Sequence, residues 1–291
     1  MKDLRLITIT LAMMTFVACG PIQRTRQSED TPVRTPETEN LLINLKKVSA
    51  RGFMFGHHDD TNYGIGWEGD EGRSDVKSVC GDYPAVISFD LGHIELGDTM
   101  SLDKVPFTKI RKEILNQYKR GGMSSLSWHL RNPLTGGDSW DVSDTTVVKS
   151  ILPGGANHEK FTGWVSKVSA FINSLQTEEG VKVPVLFRPW HEHTGSWFWW
   201  GEKLCTPEEY KALWHMTVDI LRNDGVDNAL YAYSPGSEPQ DTAQYLKRYP
   251  GDELIDLIGF DTYQFERDTY LANLEKSLAI VDSIGKAHNK V

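Results

Sequence analysis

The chain has 291 residues, 39% hydrophobic and 24% charged, with 31 Lys and Arg against 40 Asp and Glu for a net charge of −9. This composition suits one or two globular domains and excludes a fibrous or intrinsically disordered chain. The acidic balance and the lack of any basic cluster exclude nucleic acid as a partner.

Residues 1–18 read as a signal peptide, because Lys2 and Arg5 precede an apolar run from Leu6 to Ala18 that is too short to span a bilayer. The run ends in Phe16-Val17-Ala18-Cys19-Gly20, which makes Cys19 a candidate for lipidation at a bacterial lipoprotein processing site, with plain secretion as the alternative. Either outcome places the mature chain outside the cytoplasm, as a periplasmic or cell-surface protein that meets a membrane only through its anchor. Residues 19–40 are polar and aperiodic, as a flexible tether would be, and the folded domain is expected over 41–291. Cys80 and Cys205 are left, and an oxidising compartment permits a disulfide between them without requiring one.

From there short apolar runs alternate with amphipathic stretches, the pattern of an α/β fold with parallel strands. The predicted strands are Gly52–Gly56, Ala85–Asp90, Met123–Trp128, Val183–Pro189, Leu230–Ser234 and Ile255–Asp261. Helical periodicity marks Phe107–Arg120, through Phe107, Ile110, Ile114 and Tyr118, and Phe161–Leu175, through Phe161, Trp164, Val165, Val168, Phe171 and Ile172. Thr206-Pro207-Glu208-Glu209 has the residues of a capping box, and a last helix is expected over Asp268–His288. Several strands end in polar or aromatic residues, among them His57-His58, Asp90, Trp128-His129, Arg188 to Glu192 and Asp261-Thr262-Tyr263. Functional groups at many strand C-termini are the mark of a (β/α)₈ TIM-barrel site.

The densest stretch is Leu186 to Gly201, where Glu192 is the one carboxylate among Trp190, Trp197, Phe198, Trp199 and Trp200. Packing against a tryptophan would desolvate such a carboxyl and keep it protonated, ready to donate to a leaving oxygen. The competing reading is a structural Glu paired with Arg188. His191-Glu192-His193 and His57-His58-Asp59 invite a metal, but neighbouring residues on a strand point in different directions and the helical His-Glu-x-x-His spacing is absent. No metal and no cofactor is expected.

Arg188-Pro189-Trp190-His191-Glu192 followed by Gly195-Ser196-Trp197-Phe198-Trp199-Trp200-Gly201 closely resembles the acid/base segment of the β-mannanases of glycoside hydrolase family 26. Gly56-His57-His58, Ser127-Trp128-His129 with Asn132-Pro133, Tyr233-Ser234-Pro235, and Tyr249-Pro250-Gly251-Asp252 leading to Ile258-Gly259-Phe260-Asp261-Thr262-Tyr263 extend the likeness over most of 41–288. The resemblance implies a monomeric retaining hydrolase that cleaves β-1,4-mannosidic bonds in mannan, galactomannan or glucomannan. Carried onto this sequence, it makes Glu192 the proton donor and His191 its neighbour, puts Trp128, Trp197 and Tyr263 around the −1 sugar, and offers His93 as a further subsite ligand. Retention needs a second carboxylate roughly 5 Å from the first. The resemblance puts that nucleophile on a seventh strand, beyond Val291, so the last two strand-helix units of the barrel are expected to be missing from this chain, as in a fragment or a product of a frameshift or early stop. A chain ending there is expected to fold poorly and to be inactive. Two rivals stay open: a xylanase or mixed-linkage glucanase on the same scaffold, and a non-catalytic glycan-binding surface lipoprotein.

Overall fold

The computed structural model describes residues 34–265 and 267–291; the signal peptide, Cys19 and most of the tether lie outside them. The folded part begins earlier than expected. Helix α1 spans Pro36–Ser49, with Thr35 accepting from the Thr38 N–H and Pro36 in the first turn. The Arg34 guanidinium donates to the Asp256 carboxylate at 2.7 Å, and the Thr35 N–H donates to the Asp227 carbonyl. A tether reading to residue 40 therefore fails at its end: the Thr-Pro-Glu start is a helix signal that the polar composition concealed.

Six parallel strands follow in sequence order, β1 Gly56–His58, β2 Val86–Asp90, β3 Met123–Ser127, β4 Val185–Arg188, β5 Ala229–Tyr233 and β6 Leu257–Ile258. Each pairs with the next in register, Val86 opposite Met123 and Leu186 opposite Leu230, for example. Between them run α2 (Asp75–Cys80), α3 (Phe107–Lys119), α4 (Val147–Ile151), α5 (His158–Asn173), α6 (Pro207–Asn223) and α7 (Thr242–Leu246), and α8 (Arg267–His288) closes the series. The predicted helical faces are the packed ones: Ile110 and Ile114 of α3 and Phe161, Val165, Val168 and Ile172 of α5 are buried against the sheet. At α6 the capping box forms, Thr206 Oγ1 accepting from Glu209 N–H and the Glu209 carboxylate from Thr206 N–H.

The first strand lies later than predicted. The ladder begins only where Gly56 meets Val86, and Phe53 and Phe55 before it are exposed. After β1 the chain makes a small antiparallel ribbon, Tyr63–Gly64 with Trp67–Glu68.

Two separate apolar clusters flank the sheet, as a barrel wall requires. The larger lies between strands and helices, and includes Ile87, Phe89, Leu126, Trp128, Phe187, Tyr231 and Tyr233. The smaller fills the interior at the strands' N-terminal ends, where Met123, Leu186 and Leu230 meet Leu41, Leu42 and Leu45 of α1. Beyond β6, Val291 donates to the Asp256 carbonyl and accepts from the Ile258 N–H, the bonding of a parallel neighbour around Leu257. Cys80 is an exposed thiol on α2 and Cys205 a buried one, and both are free. Burial pushes Cys205 up to about 11, with Arg248 opposing.

Candidate active site

Inward-facing residues change from apolar to polar toward the strand C-termini, where His58, Ser88, Ser127, Arg188 and Asp261 line a cleft of about 590 Å³ together with His129, His191 and Glu192. Trp140, Trp197, Phe198, Tyr263 and Phe265 form its aromatic walls. Glu192 is 6% exposed. Its Oε2 accepts from the Trp197 indole N–H at 2.8 Å and its Oε1 from the Tyr263 hydroxyl at 2.5 Å. Burial and the Glu192 contact hold the Tyr263 phenol protonated well above its ordinary range, so it remains a donor.

The backbone that presents Glu192 is bent through two positions that L-residues avoid, Trp190 at φ 56° and Glu192 at φ 54°. Each costs on the order of 1–3 kcal/mol and persists only where the surroundings over-determine it. Here they do. Tyr210 Oη of α6 donates to the Trp190 carbonyl at 2.7 Å, the Trp200 indole to the His191 carbonyl at 2.9 Å, and Glu192 N–H to the Ser234 carbonyl after β5 at 2.8 Å. Gly195 is required for a different reason: a Cβ there would come within 2.2 Å of the Trp197 ring that holds Glu192.

Two expectations for this segment change. Trp199 and Trp200 are buried in the outer core, and only Trp197 reaches the carboxylate, through its N–H edge rather than an apolar face. Glu192 is not paired with Arg188, whose guanidinium instead takes both oxygens of Asp261 at 2.9 and 3.0 Å. Ser234 Oγ also donates to Asp261, and burial raises that carboxyl although Arg188 opposes it.

A chain of polar groups that no spacing revealed runs beneath the cleft. Asp90 at the end of β2 accepts from Ser127 Oγ at 2.6 Å, from Gly92 N–H at 2.7 Å and meets His129 Nδ1 at 2.6 Å. Burial disfavours its charge, but the His129 contact and these donors win and hold Asp90 well below the usual carboxylate range. His129 Nε2 lies 3.0 Å from His191 Nε2. A proton therefore sits on His129 Nδ1 and another in the bond between the two rings. Burial, reinforced by Arg188, pushes His191 well below its ordinary value, so its ring is neutral.

Trp128 does not face the sugar side. It is 0% exposed, packs on Phe161 and Trp190 and donates to Glu95 at 3.1 Å, all on the helix side of the sheet. Strand alternation sends Ser127 and His129 to the cleft and Leu126 and Trp128 away from it; the aromatic wall there is Trp140, stacked on His129 at 5.4 Å. His93 also falls outside the lining of this cleft: it precedes the short helix Ile94–Leu96 in a left-handed conformation and approaches Asp98 at 3.9 Å. Sequence reasoning gave no paired role to Asp90 with His129 or to Arg188 with Asp261, which it saw only as polar residues at strand ends, and it gave no signal for Trp140, which lies in the loop after β3.

The expectation that adjacent residues cannot converge on a metal fails at the end of β1. Asp59 adopts φ 49°, which turns its carboxylate back toward the preceding side chain, and His58, Asp59 and Asp103 place one ligand atom each within 4.8 Å of one another.

A parallel barrel wall with a buried, hydrogen-bonded carboxyl at the C-terminal end of its fourth strand defines a carboxylate-based barrel of the glycoside hydrolase kind. Glycosyl hydrolase family 26 matches residues 31–285. The chain belongs to this family, and its six parallel strands form the corresponding part of that family's (β/α)₈ barrel. It is 62% identical to a family 26 β-mannanase from Bacteroides ovatus of known structure, with a TM-score of 0.87 over 88% of this chain and 75% of that one. A modular endo-β-1,4-mannanase from Cellulomonas fimi superposes with a TM-score of 0.82 at 35% identity, covering 89% of this chain and 59% of that one. A mannan endo-1,4-β-mannosidase from Bifidobacterium adolescentis is 37% identical over 79% of this chain, which spans 23% of that protein. The chain thus spans less than two thirds of the curated relatives it matches, 64% in the case of the Bacillus subtilis enzyme.

Proposed function

We propose that the protein acts as a retaining glycoside hydrolase on β-1,4-mannosidic bonds of mannan, galactomannan or glucomannan, with Glu192 as proton donor. The observation that carries this is the grip on Glu192: each carboxyl oxygen meets one donor, Trp197 or Tyr263, on an aromatic-lined cleft, in a chain whose relatives are named mannan endo-1,4-β-mannosidases. Trp197 and Tyr263 flank the −1 sugar, and His191 supports the floor beside the acid. No cofactor enters this reading. Asp261, held by Arg188 and Ser234, and Glu238, which accepts from Thr194, do not sit on the strand to which the family resemblance assigns the nucleophile. The reading takes its nucleophile from a seventh strand. A lipid on Cys19 would make the enzyme a periplasmic or surface lipoprotein acting on polysaccharide or oligosaccharide outside the cytoplasm.

The test is reducing-sugar release from mannan, xylan and mixed-linkage glucan, by residues 1–291 and by a chain carried through an eighth strand. Release from mannan alone by the longer chain is expected. Release from xylan or glucan in preference to mannan would replace the substrate, and binding without release by the longer chain would replace the enzyme with a glycan-binding protein.

A further inference from the structure

We infer that His58, Asp59 and Asp103 form a binding site for a divalent transition-metal cation, Zn²⁺ foremost, on the wall of the cleft. The argument begins with where protons can be. His58 Nδ1 is 2.8 Å from Ser88 Oγ, and its other nitrogen, Nε2, faces two carboxylate oxygens, Asp59 Oδ2 at 3.3 Å and Asp103 Oδ2 at 3.8 Å. Three electron-rich atoms converge and need a positive charge between them. Asp59 Oδ2 makes the need acute: the residue is 1% exposed, and this oxygen is buried with no hydrogen-bond partner, while Oδ1 is satisfied by Asn62 at 2.7 Å.

A proton on His58 Nε2 is one way to supply the charge, and the distances argue against it. A charge-assisted N–H···O bond closes to about 2.7–2.9 Å, well short of the separations observed. Two ligand atoms each roughly 2.0–2.1 Å from a tetrahedral ion lie roughly 3.4 Å apart, which is the His58–Asp59 separation, and Asp103 at 3.8 Å has only to close slightly on the ion. The surroundings are those of a metal-binding His and carboxylate. The atoms turned away from the cluster, His58 Nδ1 and Asp59 Oδ1, are each fixed by a neighbour, Ser88 and Asn62, as outer-shell partners fix true ligands. One imidazole nitrogen with two carboxylates suits Zn²⁺ and its first-row neighbours; Ca²⁺ and Mg²⁺ prefer oxygen alone and more of it.

Three protein ligands leave a fourth position for water or a hydroxyl. Because His58 and Glu192 line one cavity, that position belongs to the cleft and not to a remote surface. The ion would also join the loop after β1 to the loop before α3. It takes no part in proton donation by Glu192.

The experiment is calorimetric titration of ZnCl₂, with MgCl₂ and CaCl₂ in parallel, into the chelator-treated chain carried through an eighth strand and bearing Cys19→Ser and Cys80→Ser, which removes two thiols as competing ligands. One Zn²⁺ per chain is expected, with a dissociation constant of about 10 µM or tighter and about tenfold or greater preference over Mg²⁺ and Ca²⁺. His58→Ala and Asp103→Asn should each weaken Zn²⁺ binding about tenfold or more while circular dichroism shows the same fold, since even loss of a residue that only orients a ligand acts on this scale. At a Zn²⁺ concentration near the parent's dissociation constant, the melting temperature should rise in the parent and clearly less in the two variants. Absence of binding by a folded parent, or binding unchanged in both variants, overturns the site and leaves His58 as a protonated partner of two carboxylates. Tighter binding of Ca²⁺ than Zn²⁺ overturns the ligand assignment.

Discussion

The two ends of the same strands do different work. At the N-terminal end the inward residues Met123, Leu186 and Leu230 pack under α1, and the Arg34–Asp256 pair is fastened beside them. Two residues further along β4, Leu186 gives way to Arg188, and the corresponding level of the sheet holds Ser88, Ser127, Asp261 and the histidines of the cleft. The interior of the lower end is filled by apolar contact, with one ion pair, Arg34 to Asp256, closing it. The upper end is assembled from groups that each need a partner, and its backbone is held in left-handed conformations at Trp190 and Glu192. Stability and chemistry are thereby separated along a few residues of one strand, so a substitution at one end should leave the other readable.

The sharpest test of that separation is Glu192→Gln. In the active form it should lower kcat on mannan by about 10²–10⁴-fold, the size of a general acid's contribution, with KM and melting temperature little changed. Substrates with good leaving groups should lose much less in the first step, and equal loss on both would remove Glu192 from the acid role. At the other end, Leu230→Ala should lower unfolding free energy by about 2–5 kcal/mol with kcat unchanged, read from denaturant melts and initial rates. A kcat loss there as large as the Glu192 one would break the comparison.

Asp90 joins the two kinds of behaviour, because a buried carboxylate in the upper layer also contributes to folding. Its pKa is depressed in the fold, so its contribution is present above the ordinary carboxylate value near about 3.9 and is lost as pH falls toward the lower folded value. Asp90→Asn should therefore destabilise by on the order of 1–3 kcal/mol at about pH 6, with the gap to the parent closing below about pH 4. A gap constant down to about pH 2 would show that the charge is not what matters. The smallest effect is expected at Thr206→Ala, where loss of one side of the α6 capping box should cost about 1 kcal/mol and no activity.

Much of this was legible in the sequence because the rules that apply are local. The alternation of elements, the faces of α3 and α5, and the α6 cap follow from periodicity and capping chemistry. The Glu192 segment was legible from its composition, but not its geometry: Trp190 and Glu192 carry no glycine to announce a left-handed turn, and the hydrogen bonds that enforce it come from α6 and β5. Trp128 shows a second limit. Alternation along β3, Ser127 and His129 on one face and Leu126 and Trp128 on the other, separates the cleft side from the helix side, and the family resemblance that put Trp128 on the cleft side ran against it. The pairings Asp90 with His129 and Arg188 with Asp261 join residues 39 and 73 positions apart, set by strand order rather than by spacing. His58 and Asp59 were weighed and set aside because the backbone turn at Asp59 is unannounced, and Asp103 was not considered because another loop supplies it.

Helix α1 carries one consequence beyond packing. It closes the lower end of the wall, and Arg34, just ahead of it, is fastened by Asp256 on that same end. The described chain therefore enters the domain on the side opposite the cleft. A bead or fusion partner joined directly at that entry would have the mouth of the cleft on the far side of the domain from it.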